Sequence, residues 1–146
     1  MRNIVKIFVA LCAVVALVGC CSACRQRYKN SKPLQGTEWH LVQLEAKDLS
    51  LSADSFNLVL SEDGSVAGIG ACNRLLGQYT VAPNYAISLG QVGSTMMLCP
   101  DNSELESRFI QVLGVVTHYD IDGNKLMLIG DGAIKAIFEA LPKRVE

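Results

Sequence analysis

From Trp39 onward the apolar residues of this chain recur at every second position, in short runs closed by glycine or by an Asp-Gly pair. That period belongs to the β-strand, because successive side chains of an extended backbone point to opposite faces. In "FNLVLS", Phe56, Leu58 and Leu60 fall on one face and Asn57 and Ser61 on the other, and "EDGS" then reads as a hairpin turn leading into Val66. Tyr79 and Val81 precede "APN", a tight reversal, and Ile87 and Leu89 follow it. "VVTHYDI", "KLMLI" and "AIKAIFEA" read as three more strands, divided at Asp122-Gly123 and Gly130-Asp131-Gly132. The spacing Leu58-x-Leu60-x-x-Asp63-Gly64 recurs as Leu126-x-Leu128-x-x-Asp131-Gly132, which we read as repeated hairpin chemistry and not as duplication.

One segment breaks the alternation. In "CPDNSELESRFIQVLG", Ser103 stands three residues before Glu106, the capping-box spacing that satisfies free N–H groups at a helix start. Leu105, Phe109, Val112 and Leu113 then share a face, Glu104 and Arg108 stand at i,i+4, and Gly114 sits where a helix ends. The pattern predicts one helix of about ten residues, roughly 15 Å long. A single amphipathic helix suits a curved sheet whose open edges otherwise invite aggregation. The expected fold is therefore mainly β (α+β): a curled antiparallel sheet or partly open β-barrel of about seven or eight strands with one packed α-helix.

The N-terminus is of another kind. Met1-Arg2-Asn3 and Lys6 precede "IFVALCAVVALVG", an uncharged run from Ile7 to Gly19. A basic start followed by such a run is the pattern of an export signal, and it is short for a membrane span. Its end, "LVGC" (Leu17 to Cys20), resembles the lipobox of bacterial lipoproteins. The resemblance implies cleavage before Cys20 and acylation of its thiol, with Cys24 in "CSAC" a second candidate and Cys21 a poorer one. Several acyl chains hold a protein on a membrane as one chain does not. The expected organisation is a signal peptide over 1–19, a flexible basic tether over 20–35, a folded domain over 36–141 and a short tail over 142–146. Arg25, Arg27, Lys29 and Lys32 make the tether suited to anionic headgroups or simply to water. Loss of Arg2 and Lys6 leaves 11 basic against 14 acidic residues, a net charge near −3. No basic surface points to nucleic acid.

Of six cysteines, two, Cys72 and Cys99, fall inside the folded part. In an oxidising compartment two such thiols tend to join. Zinc competes poorly, since close ligand pairs are missing and His40 and His118 are remote in sequence from both cysteines. Cys21-x-x-Cys24 has redox spacing but lies in the tether, away from any strand-to-helix junction. The stretch "GIGACNRLLGQY" (Gly68 to Tyr79) is no dinucleotide fingerprint, because Asn73 occupies the third glycine position, and no G-K-[ST] follows for a P-loop. A catalytic Cys72 needs a base beside it, which His40 or His118 supplies only through a folding coincidence. We read the stretch as a strand corner, with Asn73 taking an unusual φ or bonding the local backbone and Arg74-Leu75-Leu76 as a loop tip or core. Asp120 and Asp122, astride a turn, lack the surroundings of a metal or acid–base pair. Met96 and Met97 read as core filler or as the lining of an apolar cavity.

In order and spacing, "GACN" (Gly70 to Asn73), Gly77-x-Tyr79, "TMMLC" (Thr95 to Cys99), the acidic-started helix and "YDIDGNKLML" resemble the META domain, also called HslJ-like, as does Trp39 at the opening. The likeness covers about Gly36 to Leu141. It implies a β-rich domain with one helix, a cystine between Cys72 and Cys99, and family positions at Gly70, Asn73, Gly77, Tyr79, Thr95 and Met97. It implies membership of a group of secreted or lipid-anchored bacterial proteins linked to heat shock, drug tolerance and motility, with no assigned molecular activity. The fold is also similar to the cracked barrels of lipid-binding secretin pilots. The expected function is that of a non-enzymatic, lipid-anchored envelope protein working through a protein partner, with no cofactor and no metal. The alternatives are a carrier or sensor of an apolar small molecule or lipid and, more remotely, a hydrolase using Cys72. Cys21 stands where an inner-membrane aspartate is expected, so the outer membrane is the expected location.

Overall fold

The computed structural model describes residues 31–142. The expected signal peptide, Cys20 with Cys21 and Cys24, the expected tether up to residue 30 and the tail from residue 143 lie outside the described residues.

Ten strands form one antiparallel sheet: β1 (Glu38–Leu44), β2 (Lys47–Asp48), β3 (Asn57–Leu60), β4 (Ser65–Ile69), β5 (Arg74–Ala82), β6 (Ala86–Leu89), β7 (Gly93–Ser94), β8 (His118–Asp122), β9 (Lys125–Gly130) and β10 (Ala133–Ala140). The count exceeds the expected seven or eight because β2 and β7 are two-residue pieces. The order β10-β9-β8-β6-β5-β4-β3-β1 closes on itself through β1–β10 pairing, from Trp39↔Ala140 to Leu44↔Ala136. The result is ring-like without being a full barrel, because β6 and β8 meet at a single residue pair, Ala86↔His118. Two backbone bonds hold that seam, Ile87 N to Thr117 O at 3.0 Å and Tyr119 N to Tyr85 O at 3.0 Å.

The turns follow the predicted chemistry. Asp131 and Gly132 both have positive φ, as a two-residue hairpin between Gly130 and Ala133 requires. At the β3–β4 turn the Asp63 carboxylate accepts from Ser65 N at 2.9 Å and from its hydroxyl at 2.6 Å. Leu58, Leu60, Leu126 and Leu128 are all buried, so the two similar motifs do the same work on two hairpins. Asp120 and Asp122 both lie on β8, ahead of the turn at Gly123.

Helix α1 (Ser103–Gly114) lays Phe109, Val112 and Leu113 into the ring. Phe109 meets Phe56 edge-on with centroids 5.7 Å apart and lies 6.0 Å from Phe138. These rings, with Trp39, Leu41 and Leu75, fill the interior. Two helix expectations change. Asn102, in the left-handed region, is the N-cap and makes no side-chain cap bond, so Ser103 opens no capping box. Arg108 reaches back to Glu45, Nε to Oε2 at 2.6 Å, and not to Glu104. Residues 32–35, read as tether, are bonded to the domain: Lys32 N donates to Gly123 O at 2.8 Å and Gln35 Nε2 to the Tyr79 hydroxyl at 2.8 Å.

Candidate functional site

The glycine corner lies between β4 and β5 and packs against the first turns of α1. Cys72 is joined to Cys99, 27 positions on, as the family likeness implies. Joining residues that far apart stabilises by roughly 3–4 kcal/mol on the chain-entropy account.

Around this cystine sits a buried polar cluster that sequence reasoning did not assemble. The Glu106 side chain turns inward, away from the helix start. Its Oε2 accepts from Ala71 N at 2.7 Å and from Cys72 N and Asn73 N at 3.4 Å each, and its Oε1 accepts from Asn73 Nδ2 at 2.7 Å. The carboxylate thus supplies acceptors to a corner whose amides have left the sheet ladder. Gly70 makes the approach possible, because a Cβ there would overlap the Glu106 carboxylate.

Asn73 is the hub. It has no positive φ and bonds remote groups, contrary to the local role expected of it. Its Oδ1 accepts from Met97 N at 2.8 Å and from the Thr95 hydroxyl at 2.9 Å, and its Nδ2 also donates to Met97 O at 3.2 Å. The carboxamide therefore pairs with Met97 as a peptide unit in a neighbouring strand would. Thr95 completes the join, its hydroxyl accepting from Arg74 N at 3.0 Å and its own N–H donating to Arg74 O at 3.1 Å.

The remaining predicted positions sit further along β5. Gly77 lies under Gln91 and Val92, whose backbone atoms stand 3.2 Å from where a Cβ would be. Buried Tyr79 donates its hydroxyl to Ser61 O at 2.8 Å, tying β5 to the β3–β4 turn. The methionine expectation fails: Met97 is 56% exposed and Met96 99%, so neither fills the core or lines an internal cavity. Leu98 is 99% exposed as well. The corner bonds consume the inward-facing groups of this segment and leave its large side chains in water. Arg74 begins a strand, with Leu75 fully buried and Leu76 outside, so the loop-tip reading is also replaced.

Chemically, the cluster is a brace. Cys72 is held as a cystine, and Glu106 and Asn73 are saturated with partners. His40, on β1, faces Ser55 O at 3.0 Å, and His118, on β8, faces the Thr117 hydroxyl at 3.0 Å, so neither is bonded to the corner. Among the described residues no three metal-ligating side chains converge, and no helix is long and apolar enough to cross a membrane.

No curated protein matches the chain in sequence. Among solved structures it is similar to a protein from Burkholderia xenovorans determined by NMR, with 24% identity and a TM-score of 0.61, over 76% of this chain and 85% of that one. A DUF4847 family protein from Bacteroides vulgatus, a crystal structure, gives 17% identity and a TM-score of 0.54 over 77% and 96%. At such identities the likeness concerns the fold. The family model described as the META domain matches residues 32–141, which takes in the brace, the ring and the helix together; the chain belongs to the META domain family.

Proposed function

We propose that this chain is a lipid-anchored protein of the bacterial cell envelope, held by acyl chains on Cys20 at the periplasmic face of the outer membrane, and that its META domain works by contact with a protein and not by catalysis. One observation carries the reading. Met96 and Leu98 stand 99% exposed on a segment that Asn73 bonds in place and the cystine closes. Large apolar side chains fixed in water mark contact surfaces. The lipobox-like "LVGC" supports the anchor.

The carrier reading draws less support. Trp39, Phe56, Phe109 and Phe138 are fully buried and occupy the interior. A described cleft of about 640 Å³, lined by Lys32, Gly36, Val59 and Leu141 among others, opens at the surface.

Two experiments test the proposal. Radioactive palmitate labels the wild type and not Cys20→Ala; equal labelling overturns the anchor. A photo-crosslinking amino acid in place of Met96, in the full chain in its own membrane, forms a protein adduct. A labelled, membrane-bound chain that forms none there overturns the contact reading.

A further inference from the structure

We propose that the segment Gly93–Leu98 is a self-pairing strand edge, through which two copies of this chain join their sheets. The inference rests on the contact reading above and names the partner.

Gly93 faces Leu76 in the β5–β7 ladder, Thr95 N bonds Arg74 O, and Met97 N and O bond the Asn73 carboxamide. The odd-numbered residues therefore face β5, the last of them through a side chain imitating a strand. From Thr95 to Cys99 the chain runs on from β7 without a turn. In an extended chain the even-numbered residues then direct their N–H and C=O the other way. The main-chain groups of Met96 and Leu98 have no partner among the described residues, and Ser94, opposite Leu75, takes the non-hydrogen-bonded place between Gly93 and Thr95, so its groups face outward too. Soluble proteins blunt such edges with lysine, proline or a bulge. Here Gln91 to Cys99 carries no charge and no proline, and its most exposed large apolar side chains are Met96 and Leu98.

The occupant follows from register. An antiparallel copy placed with its two-fold axis at Met96 sets Met96 opposite Met96, and Ser94 opposite Leu98 at both ends. Each of these three pairs joins residues whose amides already face outward, so every bond of the new ladder comes from a group now unpaired. Such an interface is isologous and closes at two copies. Pro100, lacking an N–H, ends the ladder just beyond Leu98. The anchoring bilayer suits the edge less well. The chain enters the domain at Lys32, which with Gln35 is bonded beside the β3–β4 and β8–β9 turns, whereas the edge starts by the β4–β5 corner at the far end of β4. The edge spans six residues, whereas a stable dimer in solution buries about 1,200–2,000 Å². Pairing therefore depends on the raised effective concentration of chains held on one membrane.

The test uses the full chain in its membrane, as two co-expressed copies with different epitope tags and a photo-crosslinking amino acid in place of Leu98. Irradiation is expected to give an adduct carrying both tags, and the same probe in place of Glu62 to give none. Met96→Glu sets two carboxylates across the axis and lowers the adduct about tenfold or more; Met96→Lys does the same. Mixing a Met96→Glu copy with a Met96→Lys copy restores it. Both substitutions fall on a solvent-exposed side chain, and an unchanged melting temperature checks that the fold survives. An adduct with a different protein overturns self-pairing and leaves the contact reading standing. An adduct with lipid, or a doubly tagged adduct indifferent to both charges, also overturns it. Absence of any adduct from the probe at either Met96 or Leu98 overturns both readings.

Discussion

The carboxylate of Glu106 and the carboxamide of Asn73 meet at 2.7 Å in the buried angle between the glycine corner and helix α1. Through this contact the helix fixes a side chain that in turn fixes the Thr95–Leu98 segment. Order thus passes from the core to an exposed apolar edge in two hydrogen-bonded steps.

Replacing Asn73 by Ala removes both bonds to Met97, the bond to Thr95 and the donor to Glu106. Buried partners left unsatisfied cost about 1–3 kcal/mol. We expect a loss of about 2–4 kcal/mol in urea unfolding, with the Met97 amide losing its protection from hydrogen exchange. An Asn73→Ala protein with wild-type protection at Met97 would show that the segment is held by other means.

Gly70→Ala drives a methyl group into the Glu106 carboxylate, and overpacking of that kind costs about 1–3 kcal/mol. Glu106→Ala vacates the same space while stranding the Ala71 amide. The two losses should therefore fall short of adding, by about 1 kcal/mol or more, in a double-mutant cycle. Strict additivity would contradict the assigned contact.

Cys72→Ala with Cys99→Ala should lower stability by about 3 kcal/mol while keeping the sheet, since the ring does not depend on the corner for its register. Faster amide exchange is expected from Thr95 to Leu98 and unchanged exchange in β9 and β10. Global unfolding of the double variant would assign the cystine a larger share.

The Glu45 carboxyl is held below its ordinary value of 4.5, chiefly by the hydrogen bond from the Arg108 guanidinium. A depressed carboxylate stabilises the fold above the unfolded value and loses that contribution as pH falls through the folded one. Wild type should therefore exceed Arg108→Ala in melting temperature at neutral pH, and the gap should close as the solution is acidified below 4.5. Both side chains are solvent-accessible, so the gap is small and shrinks with added salt. A gap that widens in acid would reverse the assignment.

Alternation carried most of the architecture in advance. Leu58 and Leu60, Leu126 and Leu128 announce their strands because one face must be apolar, and Asp-Gly pairs announce the turns because few residues accept positive φ. Composition and the family likeness pointed to the cystine. The brace stayed hidden because Glu106 satisfies the capping-box spacing equally well, and a one-dimensional pattern cannot say which of two sets of amides a carboxylate will serve. Met96 and Met97 misled for a related reason. Their hydropathy suggests burial, yet their segment is bonded through its backbone to Asn73, and those bonds hold the side chains out. β7 is too short for any period to register.

The meeting of β6 and β8 has a mechanical consequence. Two hydrogen bonds and one residue pair complete the circuit there, whereas β9 and β10 share six pairs. Breaking the narrow joint leaves an unrolled but continuous sheet with each hairpin intact, so the domain has a cheap excursion short of unfolding. The amides of Ile87 and Tyr119, with the Tyr85 and Tyr119 rings 5.7 Å apart, are the latch, and opening along that line is expected before any other.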